Sequence, residues 1–272
     1  MFSAKEVFPG IYHITDNMGV SFTLLAGTKQ AILFDAGYGL ENVQAFIRKL
    51  TDVPVNVVLS HAHHDHVLGA RWFERVLLEE SDAEEYVMRT GEGQRRKVAE
   101  QAKAKGVELP DDFFKATVPA PELIRFTGKS FGFEYMETDL GGRTILCIHV
   151  PGHTPGSIML YDPQEKLLLT GDNWNPCTWL WFPSSVPAQI WRKNMNAVCD
   201  HLPFDAVLCS HQPMLRDGDE VRAYLRSLTD RRLAESEPVL LNPNIKTRQA
   251  KPDGPAESVF VFDWDKWMGY PG

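Results

Sequence analysis

The sequence predicts an α/β fold, and three observations support this prediction. Short apolar runs of strand character recur along the chain, each bounded by Gly, Pro or Asp. Segments with the i, i+3, i+4, i+7 spacing of an amphipathic helix lie between these runs. The 272 residues, 43% hydrophobic and 24% charged, are enough to bury a substantial core. We therefore expect mixed helices and strands packed in one large domain.

Five of the apolar runs lead to side chains that can bind a metal ion. Loops beyond strand ends are where a rigid scaffold can hold a site. The five runs and the residues that follow them are AILF (31–34) with Asp35, VNVVL (55–59) with a histidine cluster, RTILCIHV (143–150) with His153, KLLLT (166–170) with Asp172, and DAVLC (205–209) with His211. Further strands are predicted at 10–14, 20–26, 156–161 and 258–262.

Helices are predicted between the strands. Apolar periodicity indicates helices at 41–50, 186–202 and 219–233, and a run of good helix formers indicates another at 86–105. The last of these lies in a segment of about 81–125, which we interpret as a helical insertion between two blocks of strands.

Composition restricts the class of protein. The net charge of −8 disfavours a protein that coats nucleic acid. The N-terminus carries no basic stretch followed by a long apolar segment, and no window approaches ~18 apolar residues, so neither a signal peptide nor a membrane span is expected. The four cysteines form no C-x-x-C pair. Reduced thiols in a cytoplasmic protein are the expectation.

The histidine cluster at 61–66, HAHHDH, predicts a metal site. Alternate side chains of an extended segment share a face, so His61 and His63 can chelate one ion. Asp65 and His66 follow where the chain turns into a helix, and they can serve a second ion. Imidazole and carboxylate suit Zn²⁺, and the lack of a nearby cysteine favours a catalytic rather than a structural site. Fe and Mn accept the same ligands.

The pattern His61-x-His63-x-Asp65-His66 resembles the signature of the metallo-β-lactamase superfamily. The remaining motifs follow in order, with Asp35 in LFDAG, His153 in PGHTPGS, Asp172 in LLTGD and His211 in LCSHQ. The resemblance, which covers about residues 10–215, implies a four-layer αββα sandwich with a two-metal site at one edge. We expect a single domain over 1–272 with a C-terminal strand extension from about 236 to 272. In that extension, 236–256 is interpreted as an irregular connection, and the last strand closes an edge of the sandwich.

The resemblance also implies a role for each residue. One ion is held by His61, His63 and His153, the second by Asp65, His66 and His211, and Asp172 bridges the two. Asp35 steadies the ligand loop from the outer shell. Four other histidines are not expected to touch metal: His13, His64, His149 and His201. We expect His149 to be packed or hydrogen-bonded, and His64 to be a surface residue rather than an outer-shell donor.

The expected chemistry is hydrolysis of a small molecule. A zinc ion lowers the pKa of water from about 15.7 to about 7, so a hydroxide between the ions can attack an ester, thioester, lactone or amide carbonyl. Asp65 is placed to accept or relay a proton. The alternatives are a phosphodiesterase or nuclease on the same two-metal site, an iron-dependent redox enzyme, and a metal-binding protein without activity.

The substrate is suggested only by an aromatic segment after Asp172. NWNPCTWLWFP contains four large rings that can form an apolar wall of the site: Trp174, Trp179, Trp181 and Phe182. The alternative is that these rings pack under the insertion or in a homodimer contact. Tyr38 is a further candidate for the site entrance. No nucleic-acid or membrane partner is expected.

Overall fold

The computed structural model describes residues 1–269. Within these residues the eight α-helices are α1 (Val43–Ile47), α2 (His64–Val67), α3 (Ala83–Thr90), α4 (Glu92–Ala104), α5 (Ala188–His201), α6 (Gly218–Ser227), α7 (Asp230–Ala234) and α8 (Trp264–Met268), with 3₁₀ turns at Leu68–Trp72 and Glu80–Asp82. Short polar side chains cap four of them, at Asn42, Asp217, Thr229 and Asp263.

Most strands follow the apolar runs of the sequence. In chain order they are β1 (Ser3–Phe8), β2 (Ile11–Thr15), β3 (Ser21–Ala26), β4 (Ala31–Phe34), β5 (Val55–Val58), β6 (Val76–Leu78), β7 (Glu122–Leu123), β8 (Gly128–Ser130), β9 (Phe133–Asp139), β10 (Thr144–His149), β11 (Ile158–Asp162), β12 (Leu167–Leu169), β13 (Cys177–Leu180), β14 (Ala206–Leu208), β15 (Arg216–Asp217), β16 (Glu237–Pro238), β17 (Thr247–Ala250) and β18 (Val259–Asp263).

Two seven-stranded sheets form the centre of the fold. The first has the order β1-β2-β3-β4-β5-β6-β7 and the second the order β15-β14-β12-β11-β10-β9-β8. Both are mixed, since β4 and β5 pair in parallel, as do β12 and β14, while β10 and β11 are antiparallel. Parallel neighbours require a crossover, and the helices on the outer faces provide it.

Three apolar layers pack these elements together. One buried cluster lies between the two sheets and includes Phe34, Ile145 and Leu169. A second covers the outer face of the first sheet with α1, and a third packs α5 and α6 on the second sheet. The order is helix, sheet, sheet, helix, so the predicted four-layer αββα sandwich is confirmed. No helix within residues 1–269 has the length and apolar character needed to cross a membrane.

The C-terminal segment differs from the expectation of an edge strand. β18 does not extend either large sheet, but lies inside a third sheet of order β13-β18-β17-β16. It pairs in parallel with β13 and antiparallel with β17, and it buries Phe260 and Phe262 against α5 and α6. The stretch interpreted as irregular, 236–256, contains β16 and β17. Residues 270–272 of the proposed extension lie outside the described residues.

The segment 81–125 contains two helices rather than the one predicted, because the chain is extended at Gly91 between α3 and α4. The same segment contains the basic run Arg95-Arg96-Lys97, of which one side chain is buried. Arg95 is buried, and its guanidinium donates to the carbonyls of Thr90, Phe113 and Ala116. These three bonds satisfy a buried charge and tie both helices to the loop that follows them.

Candidate metal centre

The candidate centre lies where five strands of the two sheets end. Asp35 follows β4, the histidine cluster follows β5, and His153, Asp172 and His211 follow β10, β12 and β14. Backbone bonds join the loops of the two sheets, since Ile158 N donates to Ser60 O (2.7 Å) and Ser21 N donates to Ser210 O (2.6 Å). Residues separated by 176 positions in the sequence, from Asp35 to His211, therefore meet at one edge.

The seven ligands implied by the resemblance lie together in three overlapping groups. Within each group the candidate ligand atoms are all within 4.8 Å of one another, and the groups are His61–His63–His153, His61–His66–Asp172 and Asp65–His66–His211. Asp172 lies between the groups, because its Oδ2 is 3.0 Å from His211 Nε2, 3.5 Å from His66 Nε2 and 3.7 Å from His153 Nε2.

For three histidines, a hydrogen bond at the outer ring nitrogen fixes which nitrogen carries the proton. Ser60 Oγ donates to Asp35 and so accepts from His61 Nδ1 (2.9 Å), while His153 Nδ1 donates to the carbonyl of Trp179 (2.7 Å). His66 Nδ1 donates to Asp35 Oδ2 (2.9 Å). Each Nδ1 therefore carries a proton, which leaves Nε2 as the ring nitrogen that can present a lone pair to a metal ion.

Inward-facing atoms of the cluster lack protein partners. His61 Nε2, His66 Nε2 and Asp172 Oδ1 are buried, and no hydrogen-bond partner for them occurs among residues 1–269. An unpaired buried polar group is unfavourable unless something else satisfies it. A cation is the natural partner for imidazole and carboxylate lone pairs that converge, so the residues present fit one or two divalent ions.

Asp35 is the side chain that holds the loop of Ser60 to His66 in place. It is fully buried with φ at 69°, and its carboxylate accepts from Ser60 N (2.6 Å), Ser60 Oγ (2.7 Å) and His66 Nδ1 (2.9 Å). Aspartate tolerates the left-handed region better than most residues, which explains its presence at this turn. Its carboxylate orients His66 directly and His61 through Ser60.

The two ends of the cluster differ in charge. Burial lowers the pKa of His153 to about 3 and lowers that of His61 well below its usual range. Burial also opposes protonation of His66, but neighbouring carboxylates, with Asp65 the largest contributor, outweigh it and raise the pKa. Neutral imidazoles thus gather on one side and imidazole–carboxylate pairs on the other. A cation that binds on the second side displaces protons from its ligands.

The histidines that are not among the seven candidate ligands have other roles. His13 is buried between Thr23 Oγ1 (3.0 Å) and the Gln212 carbonyl (2.7 Å), and His149 Nε2 bonds to the Pro155 carbonyl (2.8 Å). The hydrogen-bonded role expected of His149 is confirmed, and His13 is hydrogen-bonded as well. His64 is not the surface residue expected, because only 16% of its side chain is exposed. Its ring lies edge-on to Tyr38 and lines the cavity over the centre.

A cavity of about 520 Å³ opens over the centre. Its apolar wall contains Trp179, Trp181 and Phe182, and Phe182 contacts the rings of His63 and His153. Tyr38 and His64 line it as well. The expectation that Trp174 also lines the site is wrong. Its side chain is 0% exposed and packs in the core against Tyr224, because the chain turns inward between Asp172 and β13.

Three supporting residues were missed from the sequence. Asp82 accepts from the backbone of Ala62 and Gly156, and so joins the loop of His61 to that of His153. Asn173 accepts from His153 N (2.8 Å), and Glu85 faces His63. Asn173 adjoins a motif residue, which is the one signal that could have found it. Nothing in the spacing of Asp82 or Glu85 distinguishes them from the other acids of the segment.

Gly152 has no side chain, and this leaves room for Asn173, which hydrogen-bonds to the backbone of His153. A Cβ at residue 152 would lie 1.9 Å from Asn173 Oδ1 and 2.8 Å from Trp191. We expect Gly152→Ala to displace Asn173 and to lower the free energy of unfolding by about 1–3 kcal/mol, the usual effect of overpacking. Urea denaturation measures the change.

Gly93 provides the matched control, since it lies in α4 and a Cβ there meets nothing within 4 Å. Gly93→Ala should be neutral or stabilising by about 0.5–1 kcal/mol. Equal effects of the two substitutions would contradict the role assigned to Gly152.

Comparison with known proteins agrees with this geometry. A family model described as the metallo-beta-lactamase superfamily matches residues 15–211. Acyl-coenzyme A thioesterase MBLAC2 of Homo sapiens is 26% identical over 193 residues, which cover 63% of this chain and 66% of that protein, just under two thirds. The probable metallo-hydrolase YqgX of Bacillus subtilis (strain 168) is 24% identical over 153 residues, 54% of this chain and 63% of that protein.

Solved structures share the fold. The metallo-beta-lactamase from Pontibacter korlensis superposes with a TM-score of 0.58 at 17% identity, over 83% of this chain and 98% of that chain. The sec-alkylsulfatase Pisa1 from Pseudomonas sp. gives 0.62 at 20% identity, over 86% of this chain but 43% of the larger enzyme. Because the family model spans the chain from before Asp35 to His211 and includes every motif at the centre, this chain belongs to the metallo-beta-lactamase superfamily.

Proposed function

We propose that the chain is a binuclear metallohydrolase that cleaves an ester or thioester of a small molecule; lactones and amides belong to the same carbonyl class. One observation carries the proposal. Lone pairs of imidazoles and carboxylates converge on one buried centre without protein partners, while hydrogen bonds behind the rings fix three of the tautomers. Such preorganisation is typical of metal ligands and has no use in an ordinary core.

The ligands divide into two sets. His61, His63 and His153 would hold one ion, Asp65, His66 and His211 would hold the other, and Asp172 lies where it can reach both. The nitrogen and oxygen donors favour Zn²⁺, with Fe and Mn as alternatives. Divalent ions bound there would polarise a carbonyl oxygen and lower the pKa of water from about 15.7 to about 7.

The chain's own residues would handle the proton and the substrate. Burial raises the pKa of Asp65, but His66 and other neighbours outweigh it and hold the pKa of that carboxyl well below its usual range, so the group is ionised. An ionised carboxylate beside the centre would relay a proton rather than retain one. Burial, and next the charge of Asp65, raise the pKa of Tyr38. The Tyr38 phenol therefore stays protonated at the cavity wall, and it can donate a hydrogen bond to a substrate oxygen.

The cavity suits an apolar acyl group. Trp179, Trp181 and Phe182 form a contiguous aromatic surface, with ring centroids of neighbouring members 4.5–5.7 Å apart. Such a wall can bind an acyl or aryl chain and exclude water from the reacting carbonyl. Relatives named as acyl-coenzyme A thioesterases support a thioester substrate, although the match covers only 66% of their length.

A phosphodiesterase or nuclease is the second candidate, and the cavity disfavours it. Among residues 1–269, Arg89 is the one lysine or arginine side chain in the cavity wall, and its guanidinium is already paired with Glu85. A site for a nucleic-acid backbone usually presents several free cations. If the chain is an iron-dependent redox enzyme, the iron-loaded protein takes up dioxygen. If it only binds metal, no substrate is turned over.

A turnover screen with the zinc-loaded protein tests the proposal. It should compare aryl esters, acyl thioesters, a lactone, a β-lactam and a phosphodiester, and metal content should be measured in parallel. We expect two ions per chain and the highest kcat/KM for an ester or thioester. Phosphodiester cleavage without carbonyl activity would support the second candidate instead.

Asp65→Asn and His66→Ala test the second metal position. We expect each variant to bind about one fewer zinc ion per chain and to lose at least about 10²-fold in kcat, because the ligand set is incomplete. Elemental analysis and ester turnover provide the two measurements. His201→Ala, an exposed histidine at the end of α5, should change neither. Full zinc content together with full turnover in both variants would disprove the assignment.

A further inference from the structure

Glu85 is a buried acid that none of the sequence motifs includes. It lies in the first turn of α3, within the helical segment that connects β6 to β7 of the first sheet, and 10% of its side chain is exposed. A buried carboxylate is unfavourable unless it is paired. Its partners therefore indicate what it does.

Two side chains face the same carboxylate oxygen. Arg89, one turn along α3, donates to Glu85 Oε1 from Nε (3.0 Å) and from Nη2 (2.6 Å). His63 Nε2 lies 3.3 Å from that oxygen. The opposite ring nitrogen, His63 Nδ1, faces the centre, where it is 2.9 Å from His153 Nε2. Arg89 thus keeps Glu85 charged and aimed at the outer edge of the His63 ring.

Three other imidazoles of the centre have an oxygen hydrogen-bonded to their outer nitrogen. These oxygens are Ser60 Oγ at His61, Asp35 Oδ2 at His66 and the Trp179 carbonyl at His153, at 2.7–2.9 Å. Glu85 Oε1 lies in the corresponding position at His63, at the longer distance of 3.3 Å, and it comes from the helical segment.

We infer that Glu85 is the positioning residue for His63, holding the proton on Nε2 so that Nδ1 presents a lone pair to a metal ion. The inference rests on the proposed metal site and extends it, because it makes α3 part of the support of the centre. An outer-shell carboxylate of this kind typically changes metal affinity by about 10–100-fold when it is removed.

A purely structural role for Glu85 predicts a different outcome. If the carboxylate serves only its ion pair with Arg89, removal would loosen α3 and lower the melting temperature, with no specific effect on His63. The two roles separate in measurements made directly on metal affinity and on the His63 ring. Activity alone would not separate them.

The experiment compares Glu85→Ala and Glu85→Gln with Glu84→Ala, whose side chain is exposed on the same helix. Zinc affinity is measured by competition with a chromophoric chelator. The ring N–H signal of His63 is observed by ¹⁵N NMR in the zinc-loaded protein. We expect Glu85→Ala to weaken zinc binding by about 10–100-fold and to lose the Nε2–H signal through solvent exchange.

Glu85→Gln keeps an acceptor oxygen without the charge, so its affinity should fall between those of Glu85→Ala and Glu84→Ala. Glu85→Gln can also replace Glu85→Ala in the experiment if Glu85→Ala does not fold. The melting curve of the metal-free protein shows whether Glu85→Ala is folded. Zinc affinity and a His63 signal in the Glu85 variants equal to those of Glu84→Ala would overturn the inference. Failure of the unaltered chain to bind zinc would instead overturn the proposed metal site itself.

Discussion

Asp172→Asn is expected to lower kcat/KM by about 10³-fold, equivalent to about 4 kcal/mol of transition-state free energy. Asp172 Oδ2 approaches histidines of both proposed ligand sets, at 3.7 Å from His153 and 3.0 Å from His211. Asparagine keeps the shape of the side chain but removes its charge and turns an amide N–H₂ toward part of the centre. We expect the zinc content to fall from two ions per chain to one or fewer.

Elemental analysis and ester turnover measure these two effects on the same preparation. Asp200→Asn is the matched control, because Asp200 is an exposed aspartate in the last turn of α5. It should retain the metal content and turnover of the unaltered chain. An Asp172→Asn protein with two zinc ions and full turnover would show that the carboxylate does not join the two positions.

Asp82→Ala is expected to lower the free energy of unfolding by about 4 kcal/mol, since each buried donor left without a partner costs about 1–3 kcal/mol. Asp82 is fully buried. Its Oδ2 accepts from Ala62 N (2.9 Å) and Thr154 Oγ1 (2.8 Å), and its Oδ1 accepts from Gly156 N (2.8 Å). Removal of the carboxylate leaves the N–H groups of Ala62 and Gly156 without an acceptor and leaves Thr154 Oγ1 with Ser157 Oγ as its remaining partner. It also separates the loop of His61 and His63 from that of His153.

Urea denaturation of the metal-free protein measures this effect without the contribution of bound ions, which would stabilise the folded state by mass action. Asp111→Ala, at an exposed position in the same segment, should stay within about 0.5 kcal/mol of the unaltered chain. A loss of less than about 1 kcal/mol for Asp82→Ala would mean that water satisfies the stranded donors and that the two loops are held by other contacts.

The sequence identified the candidate centre because metal ligands are concentrated at strand ends. His61, His63, Asp65 and His66 fall within six positions, and that density has no explanation in core packing. The apolar runs before them predicted where strands end, and β4, β5, β10, β12 and β14 do end there. Local pattern was sufficient to locate these candidate ligands, since each follows the end of a strand, but their roles were predicted from the resemblance to the superfamily.

Supporting residues could not be found in the same way. Glu85 and Asp82 lie in a helical segment with several other acids, and only the packing of α3 against the strand ends brings these two inward. The sequence also could not distinguish the positions of Trp174 and Trp179. They belong to one aromatic segment, yet the first is buried in the core and the second is 38% exposed in the cavity wall.

The sequence by itself determined the mixed α/β class of the fold and the position of metal-binding side chains after the ends of strands. These features depend on periodicity and on short-range order along the chain. The four-layer arrangement and the grouping of the ligands were predicted from the resemblance to the superfamily. Only the tertiary structure decided which aromatic rings face the cavity, which acids orient the histidines, and that β18 enters a third sheet beside β13. Each of these outcomes depends on contacts between segments distant in the chain, and local spacing carries no information about such contacts.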